Sequence, residues 1–107
     1  MGIEYKVGFA PEAKQAILDR ADYIASQSGS RITADRYIEG ISTFCQSLSK
    51  FPRKNIKRDD LFPNLHITNY LGTTIIAYLV NDDAKTVYVI DVFSSRQNYE
   101  RLLNSLP

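Results

Sequence analysis

Five side chains of this 107-residue chain stand out as candidates to move protons and hold phosphate: Arg58, His66, Arg96, Tyr99 and Arg101. Cleavage of RNA by its own 2′-hydroxyl needs a proton acceptor, a proton donor and positive charge on the phosphate. An imidazole with an ordinary pKa near ~6.5 exchanges protons around neutrality. A tyrosine hydroxyl can donate, and arginines grip phosphate oxygens in pairs. His66 is the only histidine and Cys45 the only cysteine, so a histidine-rich metal site, a thiolate cluster and an internal disulfide are excluded. No metal or organic cofactor is indicated.

Each candidate also has a plainer role. His66 alternates with Leu65 and Ile67 in a strand-like run, which predicts a side chain facing solvent. Tyr99 opens the apolar series Tyr99, Leu102, Leu103 and Leu106, and so reads as packing. Arg96 falls in a strand-to-helix connection, where functional residues concentrate. Arg58 either touches an acidic or phosphate partner or neutralises Asp59 and Asp60. Cys45 lies on an apolar helix face and reads as a small core residue. Tyr5, Tyr37, Tyr78 and Tyr88 sit in periodic patterns and read as core or edge, although tyrosine rings also stack on bases.

The formal net charge of +1 hides an asymmetry. Lys50, Arg53, Lys54, Lys57 and Arg58 form a basic run with no acid among them, leaving the remainder net negative. Such a run suits RNA, an acidic protein, or simply a solvated loop. Hydrophobic residues make up 44% and charged residues 23%, ordinary for a globular domain. The length fits one domain, residues 1–107. No run approaches the ~20 apolar residues of a membrane span. Met1 to Phe9 lacks the pattern of a signal peptide, so a cytoplasmic location is expected.

The elements that must position these groups follow from periodicity. Ile3, Tyr5, Val7 and Phe9 alternate with polar residues or glycine and predict a strand. Pro11 and Glu12 suit a first helical turn, and Ala13, Ala16, Ile17, Ala21 and Ile24 form an apolar face, with Gly29 as the stop. Ser30 or Thr33 caps a second helix whose face is Ala34, Tyr37, Ile38, Ile41, Phe44, Cys45, Leu48 and Phe51, ended by Pro52. Gly40 inside it costs about 1 kcal/mol against alanine, which predicts close approach to another element, the first helix. Residues 53–64 read as a loop. Strands are expected at Leu65–Tyr70, Thr74–Val80 and Thr86–Phe93, joined by short turns into an antiparallel meander. In these strands Ile75, Ala77 and Leu79 should share one face, as should Tyr88, Ile90 and Val92. Asn98 caps a short last helix. The order β-α-α-β-β-β-α predicts an α+β domain, a helical hairpin on a four-stranded, mainly antiparallel sheet.

Particular stretches resemble a known family. They are Phe9-Ala10-Pro11-Glu12-Ala13 after the first strand, Phe44-Cys45-Gln46-Ser47-Leu48 with Phe51-Pro52, and Arg58-Asp59-Asp60-Leu61-Phe62-Pro63-Asn64-Leu65. Ile75-Ile76-Ala77-Tyr78, Val89-Ile90-Asp91-Val92-Phe93 and Asn98-Tyr99-Glu100-Arg101-Leu102-Leu103 complete the set. Their order and spacing resemble the RelE/ParE superfamily of bacterial type II toxin–antitoxin systems, over nearly the whole chain.

The resemblance implies a cognate antitoxin that wraps an extended or helical segment around the toxin. An apolar groove between hairpin and sheet is the expected seat. It also implies one of two activities. RelE-like members cut messenger RNA in the ribosome, with Arg58, His66, Arg96 and Tyr99 as the candidates here. ParE-like members bind and block DNA gyrase, with Arg96 and Arg101 as the candidate target contacts. The resemblance places a basic or histidine-containing cluster near the end of the last strand of the ribonucleases. Here that place reads Phe93-Ser94-Ser95-Arg96, which favours the ParE-like branch. A toxin reduced to antitoxin binding is the third reading.

Overall fold

A computed structural model describes residues 4–50, 52 and 56–94. The first strand, β1 (Lys6–Phe9), runs through Ala10 into α1 (Pro11–Ser28). No side chain caps α1, but Pro11 gives up no hydrogen bond in the first turn. Gly29 ends it in the left-handed conformation, φ 67°, donating its N–H to the Ala25 carbonyl. The Ser30 side chain then accepts from the Thr33 N–H at 3.2 Å and starts α2 (Arg31–Gln46). Ser30, not Thr33, is the cap. One tight turn of 3₁₀ helix, Ser47–Ser49, carries Leu48 into the core.

Ile56–Lys57 forms β2, Leu65–Tyr70 β3, Thr74–Asn81 β4 and Thr86–Ser94 β5. The sheet order is β1-β5-β4-β3-β2. Only β1 and β5 run parallel, with Lys6 opposite Thr86 and Phe9 opposite Val89. The α+β expectation holds, with five strands among the described residues instead of four. The extra strand comes from the predicted loop, where Ile56 and Lys57 pair with Ile67 and His66. Two residues are too few to show any alternation. The expected cap at Asn98 and the last helix lie outside the described residues.

The hairpin covers one face of the sheet. Ala13, Ile17 and Ala21 of α1 and Ile41 and Cys45 of α2 are buried, the first and last two packing with Ile76, Tyr78, Val80, Val87, Val89 and Val92. Burying one such aliphatic side chain contributes roughly 1.5–3 kcal/mol. A second cluster, Leu65, Ile67, Ile75, Ala77 and Phe93, occupies the other face, with Leu61 and Phe62 packed against it.

Two expectations are corrected here. A register shift between Ala77 and Tyr78 inserts one extra β5 residue. It reverses the alternation, so Val92 joins Val87 and Val89 in the hairpin-side core, while Ile90 packs against the other cluster. Gly40 makes room for Tyr70 of β3, not for α1. A Cβ at that position would collide with the Tyr70 hydroxyl. No helix among the described residues is long and apolar enough to cross a membrane.

Candidate functional site

The β2–β3 connection holds two of the predicted residues. The Arg58 N–H donates to the Leu65 carbonyl at 2.8 Å, bringing Arg58 beside the start of β3. Its guanidinium grips Asp60 through two bonds, Nε to Oδ1 at 2.9 Å and Nη2 to Oδ2 at 2.8 Å. Lys57 Nζ lies 3.3 Å from Asp59 Oδ2. Lys57 and Arg58 of the basic run are thus matched by the acids that follow them. Arg58 holds the Asp60 carboxyl below its ordinary value. The Asn64 N–H, and then Lys57, do the same for Asp59.

His66 does not face solvent. It is 1% exposed, and its ring stacks on Tyr78 with centroids 5.3 Å apart and planes 18° from parallel. Nδ1 lies 3.3 Å from the Asn64 carbonyl oxygen. The Tyr78 hydroxyl donates to the Pro52 carbonyl at 2.7 Å, so the stack is anchored. Alternation assigns a residue to a face of the sheet but does not say whether that face is wet. Here both faces are covered. The structure therefore places Lys57, Arg58 and His66 as neighbours across β2 and β3, but it seals the imidazole inside. Arg96, Tyr99 and Arg101 lie outside the described residues.

A cleft of about 470 Å³ opens between the hairpin and the sheet. Asp19, Arg20 and Tyr23 of α1, Tyr37 of α2, Thr74 of β4 and Asp91 of β5 line it. Burial raises the Asp91 carboxyl above its ordinary value, the Val92 N–H opposes that, and the charge of Glu12 adds to it. Burial likewise raises the Tyr37 hydroxyl, with Thr74 and Arg20 acting against it. The expected apolar groove between hairpin and sheet is thus a charged, hydroxyl-rich one. An apolar groove of about 260 Å³ does exist, against Phe9, Ile17, Leu18 and Ile38.

Sequence reasoning missed this cleft because its residues come from four elements with no common spacing. One signal was available: Asp91 is an acid inside the most β-branched run of the chain.

Residues 7–99 match the sequence model of the family described as the ParE toxin of the type II toxin–antitoxin system parDE. No curated protein sequence matches the chain significantly. Among solved structures, the chain is similar to one from the chromosomal ParDE toxin–antitoxin system of P. aeruginosa. That match has TM-score 0.72 and 11% identity, and covers 87% of this chain and 98% of that one. It is also similar to a chain of the RelBE2 toxin–antitoxin complex of Mycobacterium tuberculosis. There the TM-score is 0.61 at 17% identity, covering 89% of this chain and 95% of that one. At such identities the structures speak for the fold, and the fold agrees with the family matched along most of the sequence: this chain belongs to the ParE toxin family of type II toxin–antitoxin systems.

Proposed function

We propose that the chain arrests growth as a ParE-like toxin, binding DNA gyrase in the cytoplasm until a cognate antitoxin neutralises it. The burial of His66 carries the choice of target. A ribonuclease working through this histidine would need its ring nitrogens within reach of the 2′-hydroxyl, about 2.6–3.2 Å away. At 1% exposure and stacked on Tyr78, the ring favours a packing role. Arg58, gripping Asp60 with both arms of its guanidinium, is likewise engaged within the chain. Arg96 and Arg101 remain the proposed target contacts.

Induced expression of the chain alone, with microscopy, sequencing of RNA ends and a supercoiling assay on purified gyrase, tests the proposal. Filamentous cells, intact messages and loss of supercoiling are expected, with co-expressed antitoxin restoring growth. Cuts inside translated messages, abolished by Arg96→Ala or Tyr99→Phe, would establish the messenger RNA endonuclease instead.

A further inference from the structure

The cleft beneath the hairpin holds polar groups whose bonding capacity the described residues do not fill. Asp91 Oδ1 accepts the Val92 N–H at 2.8 Å, and the carboxylate takes part in no ion pair among the described residues. The Tyr37 hydroxyl is buried beside Thr74 without a well-formed hydrogen bond. Thr74 is itself buried. Arg20 lies over the Tyr23 ring, 5.1 Å from its centre, and also makes no ion pair among the described residues. Native proteins leave few buried polar atoms such as the Tyr37 hydroxyl without a partner, and a ligand in the cleft would supply one while also engaging the Asp91 carboxylate.

The lining specifies the ligand. Asp19 and Asp91 against Arg20 leave an excess of one negative charge. The acceptors come from three directions, since Asp91 is on β5, Thr74 on β4 and Tyr37 on α2. A planar group with several donors reaches more than one of them at once, where a compact ammonium satisfies them less well. The ring of Tyr37 also lines the cleft and can pack against such a plane. With Arg20 already in the lining, the single excess negative charge balances one basic guest and not a run of them.

We propose that this cleft is a receptor for a single arginine side chain presented by the antitoxin. The identity of the presenter rests on the toxin reading given above, whereas the chemistry of the receptor rests on the lining alone.

The test uses N-acetyl-arginine methylamide and its neutral citrulline counterpart as probes, followed by amide NMR of the whole chain. The arginine probe is expected to shift Tyr37, Thr74, Asp91 and Val92 saturably. Citrulline should bind about tenfold more weakly or worse, and Asp91→Asn should weaken the arginine probe to a similar extent. Lys57→Ala should leave binding unchanged. Shifts that do not saturate, that appear equally with citrulline, or that survive Asp91→Asn would overturn the receptor. Replacing each arginine of the antitoxin in turn should then find one whose loss weakens the complex in the wild-type chain and not in Asp91→Asn. If no arginine is coupled to Asp91, the antitoxin is not the presenter. A chain that binds the probe without arresting growth keeps the receptor and loses the toxin reading. A chain that arrests growth and ignores the probe does the reverse.

Discussion

The imidazole of His66 lies face to face with the phenol ring of Tyr78, 5.3 Å between centroids, on the covered side of the sheet. The chain's only histidine is therefore part of its core. Truncating it leaves a cavity under the hairpin, and His66→Ala is expected to cost about 2–4 kcal/mol of stability. His66→Phe should recover part of that loss by restoring the stack. Growth arrest at a temperature where the variants stay folded should equal that of the wild type. Arrest lost in a folded His66→Phe variant would return the residue to the list of functional groups.

Gly40→Ala would stabilise an open helix by about 1 kcal/mol. Here the added methyl meets the Tyr70 hydroxyl, and the variant should instead melt lower. Tyr70→Phe removes the obstructing oxygen and leaves a ring carbon 3.7 Å from the new Cβ, an ordinary contact. The double variant should thus be more stable than the sum of the two single changes predicts, a coupling that a denaturation cycle measures.

Leu71 occupies the β3–β4 turn with φ 55°, next to Gly72 at φ 73°, and is 78% exposed. Left-handed backbone strains leucine and suits asparagine. Leu71→Asn should raise stability by about 1 kcal/mol in thermal unfolding.

Burial raises the Asp91 carboxyl above its ordinary value of 3.8. The folded chain then holds that proton more tightly than the unfolded one. This contribution favours folding below pH 3.8 and is lost as pH rises through the raised folded value. Asp91→Asn keeps the oxygen that accepts the Val92 N–H and removes the charge. Melting curves should show it more stable than the wild type at pH 7, by less than about 1 kcal/mol given partial exposure to solvent. The advantage should vanish below pH 3.8.

Cys45 is buried, and burial pushes its thiol up to about 12. It should stay unreactive toward disulfide reagents at pH 8 in the folded chain. Labelling should appear only with unfolding, at the rate measured by fluorescence. Faster labelling would reveal a local opening of α2.

What could be read in advance followed from strong periodicity. The helical spacing of Ala13, Ile17 and Ala21, the Gly29 stop and the β-branched run from Thr86 announce their elements unaided. Alternation fails where a feature lies outside its logic. The shift between Ala77 and Tyr78 redirects Val92, and the second cluster on the far side of the sheet decides whether a face is wet. His66 defeats the alternation because the face it shares with Tyr78 is covered as well as the face of Leu65 and Ile67. Gly40 announced a close approach but not by whom, because Tyr70 arrives from a distant strand. The cleft around Asp91 was hidden because four separate elements assemble it.

The parallel pairing of β1 with β5 also sets a clock. Lys6 and Val7 are made before the hairpin, but their partners across the sheet, Thr86 and Val87, are made only after the hairpin and β2, β3 and β4. Local turns of α1 and α2 can form at once, whereas the strand that leads into them must wait for the last one of the sheet. A ribosome-bound precursor of this toxin consequently exposes an unpaired β1 and an uncovered hairpin until β5 is made. A surface made jointly by hairpin and β5, such as the cleft around Asp91, cannot exist until that wait is over, so an antitoxin that recognises it engages finished molecules and passes over nascent ones.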